Sequence, residues 1–130
     1  MKALIIEDDP DARKVLSLIL KLDGYQIHSA PGGQKAIDVL VNLVPDLILL
    51  DVMMPEMDGY QVCQWVRSNP ATRQVTVVML SGKADPESVA RGLEVGADEY
   101  LAKPITPSHL TAHLKRALAR TAARLQPAGD

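Results

Sequence analysis

Short apolar runs that stop abruptly at a polar residue recur along this chain, and they limit what it can fold into. Residues 3–6 stop at Glu7, Leu47-Ile48-Leu49-Leu50 stops at Asp51, Val75 to Leu80 stops at Ser81, and Glu99 to Ala102 stops at Lys103. Unbroken runs of this length read as strands buried on both faces, the kind found inside a parallel sheet. Asp51 is the sharpest case: its run is entered through Pro45-Asp46 and followed at once by Val52-Met53-Met54-Pro55. In open α/β sheets, ligands gather beyond the carboxyl ends of the strands. A carboxylate in that place suits chemistry as well as it suits a turn cap, and the groups that join it at the same edge decide between the two.

Helix signals fill the gaps between the runs. Asp9-Pro10 and Asp85-Pro86 each supply an N-cap oxygen followed by proline at the first helical position, and Thr106-Pro107 repeats the device before the last helix. The first helix is expected to bury a broad face of Val15, Leu16, Leu18, Ile19, Leu20 and Leu22 and to end at Gly24. Tyr25 to Ser29 reads as a weaker second strand at the sheet edge. Gly32-Gly33 opens a second helix whose apolar positions are Ala36, Ile37, Val39, Leu40, Leu43 and Val44, stopped by Pro45. Asp58 is the expected cap of a third helix reaching about Ser68, and Gly96 ends the fourth. The last helix carries Leu110, Leu114, Ala117 and Leu118 on one face, and Gln126 to Asp130 reads as a frayed tail.

Five strands alternating with five helices predict a parallel sheet covered on both faces. Right-handed crossovers then bring every strand's carboxyl end to one edge. Along that edge stand Glu7, Asp8 and Asp9, then Asp51, then Ser81, then Lys103.

At 130 residues the chain is long enough for one core. With one Trp, three Tyr and no Phe, that core must be aliphatic. A formal charge of -2 gives no general reason to bind nucleic acid or membrane. Cys63 is alone, which leaves neither an intramolecular disulfide nor a cysteine cluster for zinc, and a reducing cytoplasm is the expected setting. The apolar start before Glu7 is too short for a signal peptide, and no window is long enough to span a bilayer.

Carboxylates that converge repel one another unless something positive sits among them. A hard divalent cation answers this, and Mg²⁺ accepts one or two carboxylates while keeping other sites for water and phosphate oxygens. No histidine reaches the edge, which argues against zinc, copper or non-haem iron. Lys103 adds an ammonium suited to phosphate and Ser81 a hydroxyl able to donate to a phosphoryl oxygen. Acids, cation, lysine and hydroxyl together describe phosphoryl transfer, with Asp51 as the nucleophile that becomes an aspartyl phosphate.

The set Glu7-Asp8-Asp9, Asp51-Val52-Met53-Met54-Pro55, Ser81-Gly82 and Lys103-Pro104 resembles the receiver domain of two-component response regulators, over residues 2 to about 120. The pattern is closest to receivers of the winged-helix-output branch, above all in Arg91-Gly92-Leu93-Glu94-Val95-Gly96-Ala97-Asp98-Glu99-Tyr100. The resemblance implies a flavodoxin-like (βα)5 doubly wound sheet of order 2-1-3-4-5, with a receiver domain over 1–122 and a tail or linker over 123–130. It implies Asp51 as phosphoacceptor, assisted by Lys103 and Ser81. Mg²⁺, with Mn²⁺ able to take its place, would be held by Asp8, Asp51, the backbone carbonyl of Met53 and, through water, Glu7. Ser81 and Tyr100 would form the switch, and the Lys103-Pro104 bond would be cis. Asp9 is better read as a helix cap than as a ligand.

The implied partners are a sensor histidine kinase or phosphotransfer protein and a downstream protein or output domain, with a phosphorylation-linked homodimer through helix four, strand five and helix five. No direct nucleic-acid contact and no membrane are expected, and the chain reads as a cytoplasmic signalling domain rather than an enzyme. The sequence departs from the winged-helix branch at Val89 and His113, where that branch has additional basic residues. Met53 and Lys83, two places after the phosphoacceptor and the hydroxyl switch, offer no water-orienting acid or amide, which points to a long-lived phosphoryl group. His28, His109 and His113 read as surface or partly packed. The basic positions Lys115, Arg116, Arg120 and Arg124 read as a solvated helix face. A Mg²⁺-dependent phosphatase with an Asp nucleophile is the alternative, although it calls for an acid where Met53 stands.

Overall fold

The computed structural model describes residues 1–126. Five strands, β1 (Lys2–Ile6), β2 (Gln26–Ala30), β3 (Leu47–Asp51), β4 (Thr76–Ser81) and β5 (Glu99–Ala102), alternate with five helices. These are α1 (Pro10–Leu22), α2 (Gly33–Leu40), α3 (Gly59–Ser68), α4 (Pro86–Glu94) and α5 (Pro107–Arg124). The sheet is wholly parallel in the order β2-β1-β3-β4-β5, as expected for the doubly wound fold.

Strand periodicity splits the core in two. Ala3, Ile5, Leu47, Leu49, Val78 and Leu80 point to one layer, where Leu16 and Leu20 of α1 and Leu110, Leu114 and Ala117 of α5 cover them. Leu4, Ile6, Ile48, Leu50, Val77 and Met79 point to the other, beneath α2, α3 and the chain around α4. Each fully buried Leu or Ile contributes about 1.5–3 kcal/mol of transfer free energy, so the three central strands anchor the fold.

Local signals set the helix starts as read. Asp9, Asp85 and Thr106 cap α1, α4 and α5 with proline in the first turn, and Asp58 with Gln61 forms a reciprocal capping box on α3. Two expectations change. On α1 only Leu16 and Leu20 are buried, while Val15, Leu18 and Leu22 face solvent at 58%, 58% and 80% exposure. A helix lying on a sheet buries one stripe, and the sheet takes the 16/20 stripe here. Helix α2 stops at Leu40, short of Pro45, because the chain must turn down to begin β3, where the Asp46 amide donates to the Lys2 carbonyl. In α5 the buried stripe is Leu110, Leu114, Ala117 and Thr121, with Leu118 at its margin. That helix continues to Arg124, and of the tail only Gln126 falls within the described residues.

Arg67 ties the far side of the sheet together. Its guanidinium donates to the carbonyls of Gly96, Arg73 and Val75 and pairs with Asp98 at 3.0 Å. At the amino end of β4, the Thr76 hydroxyl donates to Thr121 of α5 at 2.6 Å. Helix α5 therefore starts just past Lys103 and runs back to the opposite sheet edge. Among the described residues, no helix is long and apolar enough to cross a membrane.

Candidate functional site

Register brings the edge residues together. Ile6 pairs with Leu50, so Glu7 and Asp51 leave the sheet side by side, and Ser81 pairs with Ala102, so Lys103 emerges next to the end of β4. Glu7 and Asp51 are 3% and 7% exposed, which is unusual for acids and demands compensation. Lys103 supplies it: its ammonium lies 2.9 Å from Glu7 Oε2 and 4.0 Å from Asp51 Oδ1. The Met53 amide donates to Asp51 Oδ1 at 3.3 Å, and the Asp9 amide donates to Glu7 Oε1 at 3.2 Å.

One ammonium does not balance the site. Burial pushes the Asp51 carboxyl up from 3.8 to about 6, and the Glu7 charge adds to the rise, against the opposing pull of Lys103 and the Met53 amide. Glu7, Asp8 and Asp51 each offer a carboxylate oxygen, all within 4.8 Å of one another. This all-oxygen, electron-rich donor set fits a hard cation such as Mg²⁺. Asp9 stays outside the trio and accepts the Asp11 amide at 3.1 Å, which is the cap reading.

Ser81 ends β4 fully buried, and its hydroxyl accepts the Lys83 amide at 3.1 Å. The Tyr100 hydroxyl donates to the Lys83 carbonyl, and its ring lies against Gly92 and Met79. Burial pushes the Tyr100 phenol up to about 12; the Ser81 hydroxyl works the other way, and the neighbouring Tyr60 phenol adds to the rise. Ser81 and Tyr100 thus bracket one loop. The Lys103-Pro104 bond is cis.

Of the methionines near the site, Met54 is buried and Met57 packs against the core as adaptable filler, whereas Met53 is 59% exposed beside Asp51 and packs into neither core layer. His109 is exposed and His28 half-buried, and neither belongs to the acid trio, while His113 Nδ1 lies 2.8 Å from Glu99 Oε1. Arg120 and Arg124 fold over the two acids at the start of β5, 2.9 Å from Glu99 and 3.2 Å from Asp98. Half of the basic set on α5 is therefore engaged in ion pairs.

Two residues escaped the sequence reading. Gly59 approaches the end of β3 so closely that a Cβ there would lie 2.6 Å from the Asp51 carbonyl oxygen. Its place in Asp58-Gly59, just after the cap, was the available signal. Tyr60 is buried and donates to the Ser88 carbonyl at 3.0 Å, with the Arg91 guanidinium 4.2 Å from its ring centre. No local signal marks that contact, because it joins α3 to α4.

Residues 3–115 match the family model for the response regulator receiver domain. A probable transcriptional regulator ycf27 of Guillardia theta is 38% identical over 120 residues, covering 92% of this chain and 46% of that protein. The phosphate regulon transcriptional regulatory protein PhoB of Pseudomonas aeruginosa is 37% identical over 118 residues, covering 91% and 52%. The DNA-binding dual master transcriptional regulator RpaA of Synechocystis is 38% identical over 120 residues, covering 92% and 50%. The chain thus spans about half the length of these curated relatives. Among solved structures, the signal receiver domain of a signal transduction histidine kinase from Syntrophus aciditrophicus superposes with a TM-score of 0.85 at 38% identity, covering 99% of this chain and 96% of that one. A CheY-like response regulator receiver domain protein from Methanospirillum hungatei reaches 0.88 at 25% identity, covering 95% and 97%.

Proposed function

The chain belongs to the response regulator receiver domain family, and from that premise we propose that Asp51 takes the phosphoryl group which the domain's histidine kinase partner carries on histidine. In the transfer, the N–P bond to the donor histidine breaks, a bond forms between phosphorus and an Asp51 carboxylate oxygen, and the imidazole leaves with a proton. Lys103 orients the phosphoryl oxygens as a point charge, and the Ser81 hydroxyl donates to one of them once the group is in place. Asp8, Asp51, the Met53 carbonyl and, through water, Glu7 would hold Mg²⁺, which when bound supplies neutralisation of charge on the transferring group. The observation that carries this reading is that Glu7 and Asp51, from two separate strand ends, both come within 4.0 Å of the Lys103 ammonium from a third.

Output follows from the same edge. The aspartyl phosphate draws Ser81 towards it, Tyr100 follows, and the α4–β5–α5 surface changes shape. We take residues 1–122 as the receiver domain and 123–130 as tail or linker, acting in the cytoplasm and assisting its own phosphorylation and dephosphorylation without being an enzyme in the usual sense. Its relatives act as transcriptional regulators, so we place this domain upstream of transcription, with DNA contact made by residues outside this chain. The expectation of no nucleic-acid partner is narrowed accordingly to these residues. A phosphorylation-linked homodimer would use the α4–β5–α5 surface. The phosphatase alternative is not favoured by the family membership, and Met53 occupies the place of the acid it calls for.

Incubation with acetyl phosphate and Mg²⁺ followed by intact mass tests the reading. One added phosphoryl group, lost in Asp51→Asn, is expected. No gain in the wild type, or a gain that survives in Asp51→Asn, overturns it.

A further inference from the structure

We infer that Tyr60 is a second aromatic positioning residue of the switch, a strut that carries movement at the phosphoacceptor strand into the first turn of α4. This deepens the reading above, and rests on it for the meaning of the movement.

The strut is fixed at both ends. At one end, the Gly59 amide donates to the Val52 carbonyl at 2.9 Å, and the Gly59 backbone lies against the Asp51 carbonyl with no room for a side chain. Tyr60 is the next residue, so its backbone cannot shift independently of Asp51. At the other end, its buried hydroxyl donates to the Ser88 carbonyl. Ser88 is the hub of the α4 start: its amide and hydroxyl both donate to the Asp85 carboxylate, at 3.1 and 2.6 Å. Through Ser88, Tyr60 therefore holds the cap as well as the first helical turn. Arg91, one turn on, places its guanidinium over the same ring.

The loop after Ser81 and the first turn of α4 are thus pinned by two different tyrosines. Tyr100 and Ser81 hold Lys83, and Tyr60 holds Ser88. The Tyr60 phenol also lies beside that of Tyr100. Alongside runs a cleft of about 570 Å³, bordered by Met53, Tyr60, Lys83, Ser88 and Arg91, which leaves the loop room to move. A rearrangement that releases Lys83 without touching Tyr60 would bend the loop. One that moves the Asp51 strand end pulls Ser88 directly. The tyrosine hydroxyl is what makes the second route available, since a phenylalanine would fill the same space without grasping the helix.

Hydrogen exchange of the Tyr60→Phe chain, read by mass spectrometry, tests this. The variant keeps the ring and loses only the grip. Loss of one buried hydrogen bond is expected to speed exchange over residues 83–92 by about tenfold, with α1 and α5 unchanged. Arg91→Met is expected to give a smaller rise in the same residues. On treatment with acetyl phosphate and Mg²⁺, the change in α4 exchange seen in the wild type should shrink in Tyr60→Phe, although the mass still rises by one phosphoryl group. Unchanged α4 exchange together with an undiminished response overturns the inference. So does a rise spread evenly over the whole chain, which would make Tyr60 a packing residue only. If the wild type takes up no phosphoryl group, the receiver chemistry at Asp51 fails instead, and exchange in the untreated proteins still decides whether Tyr60 grips α4.

Discussion

Lys103 and Glu7, 96 positions apart in the chain, form an ion pair of 2.9 Å, closer than the 4.0 Å that separates the same ammonium from Asp51. The lysine is thus held by a neighbour of the phosphoacceptor and stands where it also repels an arriving cation. Lys103→Met is therefore expected to tighten Mg²⁺ binding by roughly tenfold, since a positive charge a few ångströms from the dication is removed. Titration calorimetry of the two proteins measures it, and weaker or equal binding in the variant would count against this picture.

Asp51 makes neutral pH costly for the fold. The native state keeps its proton up to about pH 6, whereas the unfolded chain releases it near the ordinary 3.8. A carboxyl raised in this way lends stability that is complete below 3.8 and is lost as pH climbs to about 6, an amount of about 3 kcal/mol. Asp51→Asn should accordingly be more stable than wild type at pH 7.5 by up to about 3 kcal/mol, with the gap closing towards pH 4. Urea unfolding at the two pH values, without divalent cations, reads the difference. Saturating Mg²⁺ should narrow the gap at pH 7.5 by stabilising the wild type.

Gly59→Ala is predicted to cost about 2 kcal/mol or more, because the added methyl meets backbone atoms of Asp51 and Val52 rather than a side chain that can swing aside. The displacement falls on the phosphoacceptor itself, so phosphoryl uptake from acetyl phosphate should slow in the same variant. Normal stability and normal uptake together would show that the loop yields freely.

Helix α1 offers a contrast between near neighbours. Leu20 is fully buried and Leu18 is 58% exposed. Leu20→Ala should lose about 2–5 kcal/mol and Leu18→Ala no more than about 0.5 kcal/mol in chemical denaturation.

That contrast marks the limit of what the amino-acid order reveals. Sequence spacing identified Asp51, Ser81 and Lys103 because each directly ends an apolar run, and parallel topology leaves such residues only one edge to share. It could not choose the buried stripe of α1, where Val15, Leu16, Leu18, Ile19, Leu20 and Leu22 surround most of the cylinder and the sheet makes the selection. Nor could it end α2 correctly, since Leu43 and Val44 continue the helical pattern while the hydrogen bond from Asp46 to Lys2 decides where the chain must turn. Arg67 and Tyr60 belong to a third kind. Asp98 and Ser88, which they grip, lie 31 and 28 positions away, and only the packed structure brings them within reach.

Helix α5 sets a spatial separation of its own. It leaves the phosphoacceptor edge at Pro107 and meets the start of β4 through Thr121. Its 18 residues, at ~1.5 Å each, carry the chain roughly 27 Å. A dye carried on the exposed Leu125 would sit at the amino end of the sheet, leaving the mouth above Asp51 clear for a donor protein to approach.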